Sequence, residues 1–243
     1  MKILLALPLL AALAALAAPA SATPWGDAHN RATAGNLRAF ASDLGGLLGG
    51  ASFHSGRSLG FPGFDVGVVA MTQFRPAQDN AILRGSGVKG FGLPLVQAEF
   101  GLPLRTDVIV HGATGAGAQV AGGGLRFGAL RSGMLVRIPD VAVSAFADRL
   151  THDQFTANHY AVNASASWHL PILQPYAGVG YDVTNVELKT SVVPGLAGSE
   201  ATAQGVRLTA GVAVTPLPFV YLFGAYSIRH GASGADAGLG VRF

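Results

Sequence analysis

Three residues near the C-terminus have the side-chain types that nucleophilic catalysis requires. His230 and Ser233 lie three positions apart, and Asp236 follows three positions later. A serine hydroxyl becomes a nucleophile when a histidine takes its proton, and a carboxylate that orients the histidine completes such a set. The same residue types are also common in polar turns, where they interact only with water. A hydrolytic site is therefore one hypothesis for this segment, and a solvated turn is the alternative.

A second set of candidate residues is spread over the whole chain at the spacing of β-strands. Where the two faces of a strand alternate, these charged and histidine side chains share one face. A buried charge needs a partner, so the set indicates either the lining of a narrow polar pore or an ion-pair network in a closed interior. Its members are Asp65, Arg105, Asp107, His111, Arg126, His159, His169, Asp182, Arg207, Asp236 and Arg242.

Several other chemistries have no matching pattern. The chain has no cysteine, which excludes disulfides, thiol nucleophiles and zinc ribbons. The seven histidines are not spaced as metal ligands. The glycine-rich run at 112–122 has neither a dinucleotide-binding nor a Walker motif, and it is interpreted as a hairpin turn. We therefore expect no cofactor and no metal, and a net charge of +3 is too weak to indicate a nucleic-acid partner.

The first 22 residues have the pattern of a secretory signal peptide. Lys2 precedes an uncharged run from Ile3 to Ala18, and residues 20–22 provide the small side chains of a cleavage site. We expect the mature chain to start at Thr23 after export across an inner membrane. An uncleaved membrane anchor is the alternative, and the short, alanine-rich run argues against it.

Beyond residue 60 the sequence alternates with a period of two. From 157 to 170 one face is small and polar, and the other is apolar with Tyr160 and Trp168 towards its ends. The stretch 208–228, which has no charged residue, also alternates and contains Pro216 and Pro218, which a membrane helix would not tolerate at its centre. About ten strands are predicted, within a range of eight to twelve: 64–75, 92–101, 104–113, 119–130, 140–149, 155–170, 175–189, 203–215, 218–230 and 234–243.

The predicted connections alternate between proline-marked turns and longer polar or glycine-rich loops. This asymmetry is typical of transmembrane barrels, which have short periplasmic turns, longer external loops and an even number of strands. Only 12% of the residues are charged, which fits a wall that faces lipid. The sequence therefore predicts an all-β fold, a transmembrane antiparallel up-and-down β-barrel over residues 61–243. Both chain termini are expected on the periplasmic side.

Residues 23–60 precede the barrel and follow a different pattern. Leu37, Phe40, Leu44 and Leu47 recur at helical spacing, and two glycines at 49–50 end the pattern. This predicts a short amphipathic helix within 27–50. It is interpreted as a plug in the barrel or a periplasmic lid, with a helix packed on the barrel mouth as the structural alternative.

The last residues carry the most specific signal. Ala235, Ala237, Leu239 and Val241 alternate with small and polar residues, and Phe243 ends the chain. Here the sequence resembles Gram-negative outer-membrane β-barrel proteins, whose terminal phenylalanine is recognised by the barrel-assembly machinery. The resemblance implies an assembly signal at Phe243 and a location in the outer membrane. It also implies three kinds of partner: outer-membrane lipid, the barrel-assembly machinery and periplasmic chaperones.

Two blocks, 60–67 and 209–212, resemble an uncharacterised outer-membrane family, which implies no activity. His230 and Ser233 resemble the pair of barrel lipid-A deacylases, although the His-x-Ser-Asn pattern of that family is not met. We therefore predict a non-enzymatic integral outer-membrane protein, either a narrow passive channel or a structural barrel. A deacylase-like hydrolase is one alternative. A plugged transporter of hydrophobic small molecules is another, suggested by the phenylalanines near the junction with the barrel: Phe53, Phe61, Phe64 and Phe74.

Overall fold

The computed structural model describes residues 25–50, 52–115, 117–132, 138–170 and 172–243. The signal peptide expected at 1–22, with its cleavage site, lies outside the described residues. Pro171, which was expected to mark a turn, also lies outside the described residues.

Ten antiparallel strands form a closed barrel, which confirms the predicted fold class and strand number. Each strand pairs with its neighbours in sequence, and the first strand pairs with the last. The strands are β1 (Phe64–Gln73), β2 (Phe91–Leu102), β3 (Thr106–Gly115), β4 (Ala118–Leu130), β5 (Asp140–His152), β6 (Phe155–Ser167), β7 (Leu173–Leu188), β8 (Glu200–Leu217), β9 (Val220–Arg229) and β10 (Ala232–Arg242).

The barrel closes through the pairing of β1 with β10. Asp65 stands opposite Arg242, and Gln73 stands opposite Gly234. At the end of this seam the backbone amide of Phe64 donates to the carbonyl of Phe243 at 3.0 Å, and the amide of Phe243 donates back at 2.8 Å. Closure leaves neither of these two strands with a free edge, so the backbone groups along the seam are paired.

The two ends of the barrel differ less in their connections than the sequence suggests. The end at which β1 finishes, called here the loop end, has the long connections 74–90 and 189–199. The connections 153–154 and 230–231 at the same end are tight turns of two residues. The opposite end, called here the turn end, has one long connection at 131–139. The expected asymmetry therefore depends on two loops.

The outer wall of the barrel is apolar. Val96, Leu125 and Val162 point outward and are more than half exposed. Exposed aromatic rings lie towards both ends of the wall. Phe74 and Tyr226 lie towards the loop end, and Phe100, Phe127, Phe219 and Phe243 lie towards the turn end, whereas Tyr160 and Tyr181 lie near the middle of their strands.

Helices form a small part of the described residues. They are α1 (Ala28–Arg31), α2 (Leu37–Leu48) and α3 (Ala81–Gly85), with a 3-10 turn at Pro103–Arg105. Helix α2 confirms the short helix predicted near the N-terminus, and the side chains that define its apolar pattern are fully buried. In the part of the chain that the structure describes, no helix is both long and apolar enough to cross a membrane.

Residues 25–63, called here the N-terminal segment, run through the interior of the barrel. At the loop end the amide of His29 donates to Gln154 Oε1 at 2.8 Å. At the turn end the amides of Leu59 and Gly60 donate to Asp107 Oδ1 at 3.0 and 3.3 Å. The first described residues and Phe243 therefore lie at opposite ends, whereas the sequence argument placed both termini on one side. The segment therefore crosses the barrel once, in addition to the ten strands of the wall.

Candidate functional site

The interior of the barrel gathers most of the predicted charged residues into small buried clusters. At the turn end Arg126 of β4 stands opposite Asp107 of β3. Its Nε donates to Asp107 Oδ2 at 3.0 Å, and its Nη2 forms an ion pair with Glu99 of β2. Both carboxylates and the guanidinium are buried. The other oxygen of Asp107 accepts the two amides of the N-terminal segment, so this cluster fixes the segment as well as the wall.

A second cluster lies on the seam between β1 and β10. Arg242 Nε donates to Asp65 Oδ2 at 2.9 Å, and the hydroxyl of Tyr221 donates to Asp65 Oδ1 at 2.8 Å. The guanidinium of Arg242 also donates to His54 Nε2 at 2.8 Å. The ring of His54 stacks on both Tyr221 and Phe223, with centroid distances of 4.8 and 4.9 Å. His54 belongs to the N-terminal segment, so here too the segment completes a cluster of the wall.

A third cluster occupies the middle of the barrel. Arg207 of β8 donates to both oxygens of Asp182 of β7, at 3.2 Å from Nε and 3.0 Å from Nη2. The same guanidinium donates to Asn163 Oδ1 at 2.7 Å and to Ser52 Oγ at 3.0 Å. His159 Nε2 lies 3.9 Å from Asp182 Oδ1. Bidentate pairing with further hydrogen bonds is the arrangement that makes a buried ion pair tolerable.

The predicted hydrolytic set does not assemble. Ser233 Oγ accepts a hydrogen bond from the Tyr226 hydroxyl at 2.8 Å on the outer side of the barrel. Asp236 pairs instead with the buried Arg229. His230, which has a positive φ of 49° in the β9–β10 turn, directs its ring away from Ser233 and towards the interior.

The ring of His230 contacts a different serine and a different aspartate. Its Nδ1 lies 2.9 Å from the backbone carbonyl of Ser42 and 3.2 Å from Ser42 Oγ, and its Nε2 lies 3.3 Å from Asp182 Oδ2. A carbonyl oxygen can only accept, so Nδ1 carries a hydrogen and cannot take the proton of the Ser42 hydroxyl. The contact therefore holds α2 against the wall and does not activate a nucleophile.

Helix α2 is also tied to the long loop 74–90. The Asp43 carboxylate is buried and accepts hydrogen bonds from Gln73 Nε2 at 2.6 Å, Asn80 Nδ2 at 2.7 Å and the amide of Ala77 at 2.9 Å. A carboxylate that receives several donors can be buried at a moderate cost. This contact links α2 to the loop end.

Two further predicted residues form pairs with aspartates. His111 Nε2 lies 2.6 Å from Asp148 Oδ1 in the interior. His169 lies in the turn after β6, with its Nδ1 3.3 Å from Asp140 Oδ2, and a third of its side chain is exposed. Burial lowers the pKa of His169, and the nearby Arg57 lowers it further.

Arg105 is the predicted interior residue that forms no ion pair within the described part of the chain. Strand β3 begins at Thr106, and the preceding turn places both Leu104 and Arg105 at a φ of 60°. Alternation applies only within a strand, so it does not predict the direction of this side chain. Arg105 is exposed, and its guanidinium lies 5.8 Å from the centre of the Phe127 ring.

Several interior residues were missed by the sequence reasoning. Glu99 and Arg229 lie on the inward face of strands that were predicted, so the same alternation could have identified both. Asp43 and His54 come from the N-terminal segment, and nothing in their local sequence indicates that they face strand side chains. The four phenylalanines expected to cluster are dispersed: Phe53 is buried in the interior, Phe61 is 72% exposed at the turn end, Phe64 packs on Phe100, and Phe74 is at the loop end.

Comparison with known proteins finds similarity only to solved structures. No protein-family model matches the chain, and no curated protein matches it significantly. Among solved structures, the N-terminal β-barrel domain of Pseudomonas aeruginosa OprF is 13% identical, with coverage of 74% of this chain and 97% of that one and a TM-score of 0.37.

Two other solved structures are similar at the same level. The attachment invasion locus protein Ail of Yersinia pestis is 11% identical, with coverage of 75% and 100% of the two chains and a TM-score of 0.37. The outer membrane protein OprG of Pseudomonas aeruginosa is 12% identical, with coverage of 77% and 98% and a TM-score of 0.37. At these values the likenesses assign no activity and no residue role to this chain.

Proposed function

We propose that this chain is a non-enzymatic integral outer-membrane protein, a structural barrel whose interior is sealed by its own N-terminal segment. The apolar outer wall and the exposed aromatic rings towards both of its ends support insertion in a bilayer, because such rings favour the two membrane interfaces. The closed sheet supports the same conclusion, because lipid offers no partners for free strand edges.

The path of the N-terminal segment is the observation that carries this proposal. The segment contacts Gln154 at the loop end, Arg207 in the middle and Asp107 at the turn end. The interior charges pair with one another and with this segment, whereas a pore lining would present them to passing ions. We therefore favour a sealed structural barrel over a narrow passive channel, with residues 25–63 as plug and no periplasmic lid.

The proposal also fixes an orientation. The loop end would face outward and the turn end would face the periplasm, which puts Phe243 at the periplasmic rim. The Phe243 ring stacks on Phe219 with a centroid distance of 5.5 Å, and both rings are exposed. We propose export through a cleaved signal peptide, delivery by periplasmic chaperones and insertion by the barrel-assembly machinery of a Gram-negative cell, with outer-membrane lipid around the finished wall.

Electrical recording tests the sealed interior. Purified protein that shows the heat-dependent gel mobility of a folded barrel is added to planar bilayers, and no stepwise conductance is expected. A variant that lacks residues 25–58 is the comparison, and it is expected to conduct where it reaches the folded form. Reproducible conductance steps from the full chain would refute the sealed barrel in favour of the passive channel.

Deletion of Phe243 tests the proposed assembly signal. We expect this deletion to lower the outer-membrane yield sharply, because the unclosed chain keeps open strand edges exposed to aggregation and proteolysis. Arg242→Ala is the matched change one residue earlier. It removes an ion pair with Asp65 but keeps the terminal ring, so near-normal assembly is expected. Equal amounts of heat-modifiable protein from the deletion and the full chain would contradict the signal.

A further inference from the structure

A cleft of about 760 Å³ opens at the loop end, between the loop 74–90 and the β9–β10 turn. We call it the rim cleft. It is lined by residues 74–78, Arg84 and residues 230–233. Helix α2 does not line it, and the interior contacts described above meet it only at His230 and at the backbone of Ala77, so the sealed interior does not account for this cleft.

The rim cleft has two arginines without acidic partners. Arg75 and Arg84 are both exposed, and neither forms an ion pair within the described part of the chain. The contrast with Arg31, also at the loop end, is direct: its Nε lies 3.1 Å from Asp27 Oδ2, and this hydrogen bond lowers the pKa of Asp27. Among the described residues no carboxylate lines the rim cleft, so Arg75 and Arg84 give its lining a positive charge.

On the side nearer the turn end, the rim cleft meets the outer wall at the aromatic pair of Phe74 and Tyr226. Phe74 lines the cleft, and its ring centroid lies 6.5 Å from that of Tyr226. Both rings are about half exposed on the wall. The Tyr226 hydroxyl donates to Ser233 Oγ, which also belongs to the lining. An apolar surface therefore continues directly into a cationic one.

This order of surfaces matches the order of chemical groups in a membrane lipid. Exposed aromatic rings at the end of a barrel wall lie at the level of the headgroups. Guanidinium groups just above that level are placed to bind phosphate, which accepts charge-assisted hydrogen bonds from arginine. Acyl chains attached to the same molecule would run down the wall past Phe74 and Tyr226.

We propose that the rim cleft binds the phosphorylated headgroup of an outer-leaflet glycolipid, with Arg75 and Arg84 as the phosphate ligands. The inference rests on the proposed location in the outer membrane and goes beyond it, because it gives one patch of the rim a specific ligand class. The remaining polar side chains of the lining belong to Gln78, His230 and Ser233. The ring of His230 is turned towards Ser42 and Asp182, so Gln78 and Ser233 would contact sugar hydroxyls.

Lipid binding by the folded, delipidated full chain tests the proposal. Native mass spectrometry in detergent would measure the affinity for bisphosphorylated lipid A, for the same lipid after removal of its phosphates, and for inorganic phosphate. We expect Arg75→Gln with Arg84→Gln to weaken binding of the bisphosphorylated lipid about tenfold or more. Arg105→Gln with Arg131→Gln is the matched control, because it removes two exposed arginines at the turn end and is expected to leave binding unchanged.

The outcomes separate this inference from the proposed function. Equal binding by the cleft variant and the full chain, or equal binding of the two lipids, would overturn the rim cleft as a headgroup site. Competition by millimolar inorganic phosphate as effective as the lipid itself would overturn the lipid assignment. Fractionation and heat-dependent mobility are measured on the same samples. A chain that is absent from the outer membrane contradicts the proposed function, whereas a correctly inserted barrel that fails only in lipid binding contradicts this inference alone.

Discussion

The two parts of the N-terminal segment lie in the same interior but are held there in different ways. Helix α2 satisfies its own backbone hydrogen bonds, so the wall has only to supply apolar surface and a few polar contacts. Leu37, Phe40, Leu44 and Leu47 are fully buried, against inward-facing residues such as Phe155. The helix can therefore be fixed largely by apolar packing.

The extended part, residues 52–60, has no backbone hydrogen-bond partner in any helix or strand among the described residues. Strand side chains take that role: the amide of Gly56 donates to Ser167 Oγ at 2.9 Å, and Ser165 Oγ donates to the carbonyl of Ser55 at 3.2 Å. Asp107 accepts the last two amides. The comparison shows that a chain without regular structure can cross a barrel only where the wall supplies polar side chains at matching positions.

The largest loss of stability is expected from a change at Asp107, because the extended part depends on the charge of this side chain. Asp107→Ala removes the acceptor of Leu59 and Gly60 and one of the two carboxylates that pair with Arg126. Breaking such a buried pair lowers the free energy of unfolding by about 3–5 kcal/mol. Urea titration in lipid vesicles measures this quantity. Asp107→Asn keeps an acceptor oxygen and is expected to lose less, and a loss below about 1 kcal/mol for Asp107→Ala would contradict the role of this residue.

A smaller effect is expected where the helix depends on packing. Leu44 is completely buried on α2, and Leu44→Ala should lower the free energy of unfolding by about 3 kcal/mol through lost contacts and a cavity. Arg38→Ala on the exposed side of the same helix is the control. With Trp168 replaced by phenylalanine, the buried Trp25 becomes the single tryptophan reporter, so fluorescence follows the segment itself. Equal stabilities of the two α2 variants would indicate that this helix is not buried.

The smallest effect is expected outside the interior. Arg105→Ala should change the free energy of unfolding by no more than about 0.5 kcal/mol, because the side chain is exposed and unpaired within the described residues. The same titration on Arg126→Ala should show a loss several times larger. A large loss of unfolding free energy for Arg105→Ala would instead indicate that this side chain points into the barrel, as alternation predicts.

The alternation of residue types was sufficient to predict the barrel, because each strand has one face towards an apolar surrounding and one face towards the interior. It placed Asp107 and Arg126 on the inner face, and antiparallel neighbours then had to bring them together. It was insufficient at the ends of strands, as Arg105 shows.

The path of the N-terminal segment could not be read from its own sequence. The apolar side of α2 would pack equally well on any apolar surface, and the extended part has no period. Its partners Asp107 and Ser167 lie far along the chain, on strands whose position is set only after the barrel closes. His230 is a similar case, because its ring direction follows from the positive φ of a turn and not from its distance to Ser233.

Engineered disulfides between the segment and the wall test most directly whether the segment fills the barrel. The chain has no cysteine, so any cross-link must come from the introduced pair. A Cβ at position 45 would lie 3.1 Å from the Cβ of Thr184, and a Cβ at position 128 would lie 3.3 Å from that of Ser58. Both distances are close to the range of about 3.5–4.5 Å found in disulfides.

We predict that Gly45→Cys with Thr184→Cys, and separately Ser58→Cys with Gly128→Cys, form cross-links under oxidation in the heat-modifiable protein. The readout is a shift in the gel mobility of the unfolded chain that reductant reverses. The mismatched pair Ser58→Cys with Thr184→Cys should remain uncrosslinked. Folded barrels in which neither matched pair forms a disulfide would contradict a segment that crosses the interior from the loop end to the turn end.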